Sequence, residues 1–356
     1  MSRELPAKRR EDVLALVNAH GSIRVTQIAQ ALDVSAITVR RDIAYLSEQG
    51  LLEQVRGGAR AITTTPIPTR TPVKIGVVTP SLDFFWPTIL DGAGHAADRH
   101  GARLLLQGST FAARDNLTEV RRMTEQQGVD GLIAVPDIEG EGSEELHEFL
   151  ATLSIPVVLI ERAISPTARH RRYFESVRTD HYFGATLAVE HLVDLGHKRI
   201  ALITDKPIPS RHAITDGWRD AMKDFGLDTS SPHIDTTMLR GSQASDRIGQ
   251  CVRDCLDDDT TAIIAHSDEA ALLAVEYVVS MGYKVPDDLS IVTYDDELAT
   301  LTRPTLTAVA PPKQFLGSAA VDALIDRIHH PNAPMRRQLL APSLIVRDSS
   351  GTPRKV

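Results

Sequence analysis

The sequence predicts an α/β protein: a two-lobed body of two doubly wound parallel sheets, preceded by a small, mostly helical head. Three observations predict it. From Val73 onward, short apolar runs bounded by Gly or Pro alternate with helix-length amphipathic stretches, as buried parallel strands alternate with crossover helices. These units are too many for one sheet of this kind, so two lobes with a ligand between them are expected. Residues 1–62 break the pattern and read as three helices and a glycine hairpin.

A length of 356 residues suits two or three domains. The net charge of −8 argues against a protein that coats nucleic acid without specificity, but the average hides a division. Residues 1–60 carry nine Lys/Arg against seven Asp/Glu, and the remainder carries 30 against 40. A weakly basic head on an acidic body fits a head that meets phosphates.

In the head, Pro6 opens the first helix, with Val13, Leu14 and Val17 as its apolar stripe and Gly21 as its stop. Thr26 begins a short second helix with Ile28, Ala29 and Leu32 inward, and Asp33-Val34 makes the turn. Ser35 is a natural N-cap for a third helix from about Ala36 to Gln49, which buries Val39, Ile43 and Leu46. Its outward residues are then Ser35, Thr38, Arg40, Arg41 and Ala44. Gly50 suits the left-handed C-cap. Leu51-Leu52 and Arg56–Arg60 read as a strand, a tight turn and a return.

Two arginines alone would only decorate a solvated helix. Within this constellation they point to DNA: guanidinium forks reach guanine edges, while hydroxyls and helix N-terminal amides hold phosphates. The candidate contacts are Thr26, Ser35, Thr38, Arg40, Arg41, Arg56 and Arg60. The S-x-x-T-V-R-R-D-I-x-x-L core and the following GGA hairpin resemble the winged helix-turn-helix of DeoR-type regulators. That resemblance implies that the Ser35–Leu46 helix reads the major groove. Residues 63–72, TTTPIPTRTP, form an extended linker.

In the body, KIGVVTP, RLLLQGS, DGLIAVP and IPVVLIE form a first strand series, and SVRTD, RIALIT, TAIIAHS and LSIVTYD a second. The expected first lobe is about 73–161 with 294–327, and the second about 162–293 with 328–350. Ligands in such sheets sit beyond the strands' carboxyl ends. This places Asp83, Phe85 and Trp86 after the first strand, in a chain with only 4% aromatics. Ring faces stack on a sugar's C–H face while Asp83 accepts from hydroxyls. Equally, a phenylalanine here plugs the core. Arg162 follows IPVVLIE as a fork donor. Asp268 follows TAIIAHS, as ligand contact or helix cap, and Asp295 follows LSIVTY, as ligand contact or lobe-crossover residue.

The stretches GVDGLIAVP, IPVVLIER, LGHKRIALIT and GYKVPDDLSIVTYDD resemble the effector domain of LacI/GalR-type regulators, similar in turn to type 1 periplasmic sugar-binding proteins. The resemblance implies effector contacts at Phe85/Trp86, Arg162 and Asp268. The chain also departs from that family. The head is of another type, without a hinge helix. Thr293 stands where the family has glycine before Tyr-Asp-Asp. Ile214 stands where members often carry arginine, with Arg211 further back as a substitute.

Other classes find little support. There is no G-x-G-x-x-G, P-loop, G-x-S-x-G or H-E-x-x-H, so no enzyme is expected. Cys251 and Cys255 lack a second ligand pair for a metal, and no cofactor is expected. The polar N-terminus is no signal peptide and no run is long enough to span a membrane, so a cytoplasmic location is expected. The reading is a transcription regulator, a repressor by preference, working as a homodimer or tetramer. Its partners are double-stranded operator DNA and a sugar-class effector. A solute-binding protein of a transport system is the alternative, disfavoured by the head.

Overall fold

The computed structural model describes residues 6–48, 52–55, 57–61, 72–83, 85–164, 174–205, 209–228, 230–239 and 241–354. Arg56, Gly50 and most of the expected linker lie outside the described residues. The chain divides into two compact units, residues 1–71 and 72–356.

In the first unit, α1 (Pro6–His20) leads to β1 (Ser22–Arg24), α2 (Val25–Ala31), α3 (Ala36–Glu48), β2 (Leu52–Val55) and β3 (Gly58–Ala61). Gly21 ends α1 at φ +69° and Gly57 turns the β2–β3 hairpin at φ +85°. Both conformations favour glycine. The hairpin pairs antiparallel with Leu52 opposite Ala61, and β1 adds a third strand beside β3. Val13, Val17, Ile28, Val39, Ile43, Leu46 and Leu52 form the core, so the expected stripes meet.

The second unit contains two six-stranded sheets. The first lobe begins with β4 (Lys74–Thr79), α4 (Phe85–Arg99), β5 (Arg103–Gly108), α5 (Ala113–Arg121), β6 (Gly131–Ala134), α6 (Ser143–Thr152), β7 (Val157–Ile160) and β8 (Glu175–Thr179). The chain then crosses to α7 (His181–Asp194), β9 (Ile200–Thr204), α8 (Ser210–Asp224), β10 (His233–Asp235), α9 (Ser242–Asp257), β11 (Ala262–Ala265), α10 (Asp268–Ser280), β12 (Ser290–Tyr294) and β13 (Thr307–Ala310). It ends with α11 (Lys313–His329), β14 (Arg337–Leu340) and β15 (Ser343–Ile345).

The first sheet runs β14-β8-β7-β6-β4-β5 and is parallel throughout. The second runs β10-β9-β11-β12-β13-β15 and is parallel except for its antiparallel edge strand β15. Helices cover both faces of each sheet, which is why β6, β7, β9, β11 and β12 are buried along their whole length.

This pairing corrects the expected lobe boundaries. Glu175–Thr179 belongs to the first sheet, beside β7, not to the second series. Residues 307–310 belong to the second sheet, whereas α11 packs on α4 in the first lobe. The α4–α11 contact is backbone-close: a Cβ on Gly92 would stand 2.0 Å from the Gln314 carbonyl oxygen, and one on Gly317 would stand 1.9 Å from that of Ile89. Two facing glycines let the helices meet at this distance. Residues 337–340 likewise return to the first sheet before β15 joins the second.

Candidate functional site

Each unit presents a candidate site. In the head, Ser35 accepts from the Thr38 amide at 3.2 Å and its hydroxyl lies 2.9 Å from that of Thr38, so the cap holds the first turn of α3. Thr26, Ser35, Arg40, Arg41 and Arg60 are exposed and Thr38 is half-buried. Arg60 sits 3.6 Å from Glu53 across the hairpin. Ile37, absent from the expected outward set, is 66% exposed.

Asp42 on α3 is buried, and its carboxylate accepts from Arg9 Nε at 2.7 Å and Arg10 Nε at 3.3 Å on α1. Arg10 also stacks its guanidinium 3.9 Å from the Tyr45 ring centre. These arginines orient α3. Sequence reading missed them because their partner is distant in the chain.

In the body, a cavity of about 90 Å³ opens between the lobes at the strand ends. Phe85, Trp86, Phe111, Glu161 and Arg162 line it from the first lobe. His181, Ser210, Ile214, His266, Tyr294 and Asp295 line it from the second. Adjoining spaces of about 420 and 220 Å³ share Arg162 with it. Phe85 and Trp86 pack edge to face with centroids 5.5 Å apart. Trp86 is the aromatic that enters the core, and Phe85 stays half-buried at the cleft.

Arg162 is 6% exposed and donates from Nη1 to the Glu161 carbonyl at 2.8 Å, while its Nε has no hydrogen-bond partner. Burial pushes its pKa down, against the raising influence of Glu161, Asp137 and Glu139. Beneath it runs a buried chain: Glu161 accepts from the Thr179 hydroxyl at 2.6 Å and amide at 3.1 Å, and meets His181 Nε2 at 3.0 Å. His181 Nδ1 lies 3.2 Å from the Tyr294 hydroxyl. Burial alone would raise Glu161, but the charge and hydrogen bond of His181 and the bonds from Thr179 outweigh it and hold the carboxyl below its ordinary value. Burial pushes the Tyr294 phenol well up. This chain joins the end of β7, the first crossover and the end of β12.

Three expected contacts stand elsewhere. Asp83 is exposed and turns back on Ser81, whose hydroxyl accepts from the Asp83 amide at 3.0 Å. Asp268 is 2% exposed, and its carboxylate accepts from the Thr293 hydroxyl at 2.7 Å and from the Glu297 and Leu298 amides at 2.6 Å each. It does not cap α10, because Ser267 does that. Its oxygens are spent on the turn after β12, and Thr293 supplies one of the donors. Arg211 is absent from the smallest cavity, where Ile214 stands. It lines the neighbouring space and donates to Glu139 of the opposite lobe at 3.1 Å. Asp295 does reach the cavity, at φ +86°, and its carbonyl accepts from Lys313 Nζ at 2.5 Å.

Among the described residues, no His, Cys, Asp and Glu group is arranged to hold a metal. None of their helices is long and apolar enough to cross a membrane.

Residues 9–65 match the DeoR-like helix-turn-helix domain and residues 189–350 the periplasmic binding protein-like domain. The chain is 30% identical over 346 residues to the HTH-type transcriptional regulator MalR of Streptomyces coelicolor, covering 92% of this chain and 97% of that protein. It is 27% identical over 336 residues to the arabinose metabolism transcriptional repressor of Geobacillus stearothermophilus, covering 91% and 90%. A LacI family transcriptional regulator from Enterococcus faecium, solved with bound ribose, superposes with a TM-score of 0.63 at 26% identity, over 78% of this chain and 99% of that one. The chain belongs to the LacI family of HTH-type transcriptional regulators, and its DNA-binding head is DeoR-like.

Proposed function

We propose that the protein is a repressor that reads operator DNA with α3 and the β2–β3 hairpin and is controlled by a sugar held between the lobes of its body. One observation carries the effector reading: a buried guanidinium with an unpartnered Nε and a half-buried phenylalanine line the same inter-lobe cavity. A hydroxyl-rich ligand fits this, its oxygens accepting from Arg162 and its C–H face lying on Phe85. The ribose held by the Enterococcus faecium protein and the arabinose in the Geobacillus repressor's name support the sugar class.

Phe85, Trp86, Arg162 and Asp295 contact the effector directly in this reading. Asp268 works behind them by fixing the turn that carries Asp296–Leu298. Arg211 acts across the cleft mouth. Ser35, Thr38, Arg40, Arg41, Thr26, Arg60 and Arg56 serve the DNA. The protein acts in the cytoplasm as a homodimer, or a tetramer, because paired heads match paired half-sites. It has no catalytic role. Effector binding reaches the head through the linker, with a coupling of about 1–3 kcal/mol.

The test is a thermal-shift screen of monosaccharides, disaccharides, nucleosides and sugar phosphates, followed by mobility shift on the protein's own upstream DNA with and without each hit. A sugar that both raises the melting temperature and changes DNA affinity is expected. Stabilisation by nucleosides alone would overturn the sugar reading, and absence of specific DNA binding in either state would overturn the repressor reading.

A further inference from the structure

We infer that Ile37 is a specificity-determining residue of the head, reading the 5-methyl group of a thymine in the operator's major groove. The inference rests on the reading of α3 as the DNA-facing helix. Counting about 100° per residue from the buried Val39, Ile37, Arg41 and Ala44 lie within about 40° of the direction opposite the core. This outermost meridian is where a helix laid in a groove meets base edges, its first turn foremost. Ile37 is in that first turn, 66% exposed, and takes no part in the core cluster that holds Val39, Ile43 and Leu46.

Its neighbours say what it faces. Arg40 and Arg41 flank it and are exposed, so the surface around this isoleucine is cationic. Cations beside an apolar tip do not suit another protein's apolar patch. They suit the major groove, where phosphates lie on both sides and the thymine methyl is the apolar feature at the floor. The nearby hydroxyls compete little for that role, because Ser35 and Thr38 are bonded to each other and to the Thr38 amide. The other bulky apolar side chain exposed on α3, that of Tyr45, is stacked under Arg10.

The experiment is selection of binding sites from a random-sequence duplex library by the full-length protein and by Ile37→Ala and Ile37→Val. Each thymine of the wild-type consensus is then replaced singly by deoxyuridine, which removes only the methyl group, and affinity is measured by fluorescence anisotropy. At one thymine per half-site, deoxyuridine should weaken wild-type binding about fourfold, the worth of one buried carbon. Ile37→Ala should be indifferent there, Ile37→Val should keep the penalty, and the salt dependence should be the same for all three, since phosphate contacts set it. A wild-type site indifferent to deoxyuridine at every thymine overturns the inference, as does an unchanged penalty in Ile37→Ala. Failure of the wild type to enrich any sequence would instead overturn the assignment of α3 as the reading helix, and the inference with it.

Discussion

A guanidinium buried at a strand end costs free energy unless its donors are met. Arg162 meets that cost only in part, with one bond to the preceding carbonyl and Nε left over. Arg162→Ala should therefore abolish the thermal shift given by the effector while leaving operator affinity intact. An unchanged ligand shift would remove Arg162 from the site. Asp268 differs, because its oxygens already accept three bonds. Asp268→Ala strands the buried Thr293 hydroxyl and two part-buried amides, and a loss of about 1–3 kcal/mol for the buried donor is the ordinary scale. Its urea midpoint should fall with the slope unchanged. The sequence marked both residues by the same signal, a polar side chain just past a buried strand. It could not separate them, because what accepts or donates to each is set by partners far along the chain.

At the scale of elements, α3 is legible from its apolar spacing and its cap, but its anchorage is not. Asp42 lies in the R-R-D run, and nothing local tells that Arg9 and Arg10 on α1 close over it. Breaking one side of a buried ion pair costs about 3–5 kcal/mol. Asp42→Ala should unfold the head and remove operator binding, while the body keeps its effector-induced thermal shift. β1 was missed because three residues, Ser-Ile-Arg, carry no period. β8 was assigned to the wrong series because a short strand looks the same whichever sheet it enters. The crossover after β8 carries a pH signature. Glu161 is held below its ordinary value, so its contribution is complete above the unfolded pKa and is lost as pH falls through the lower, folded one. In Glu161→Gln, stability should depend less on pH across that acidic window, as read from urea midpoints at successive pH values.

At the scale of the body, Glu139 of the first lobe meets Arg211 and, at 3.5 Å, His212 of the second. The pair is partly exposed, so its worth is about 1 kcal/mol or less. Glu139→Gln should weaken effector affinity by no more than about fivefold, and added salt should shrink the difference between variant and wild type. The order of the last elements has a different consequence, one for synthesis. β14 and β15 are edge strands of the two sheets and leave the ribosome after all the other strands of the body. Until they emerge, β8 and β13 each present an open edge, the kind of surface on which strands of other chains add. The two edge strands follow each other within a few residues, so until Arg337 the nascent chain carries both such edges together, and a chain stopped short of Arg337 carries them permanently. Such a truncated product should be found with chaperones or in aggregates, while its head, completed some 270 residues earlier, has already folded.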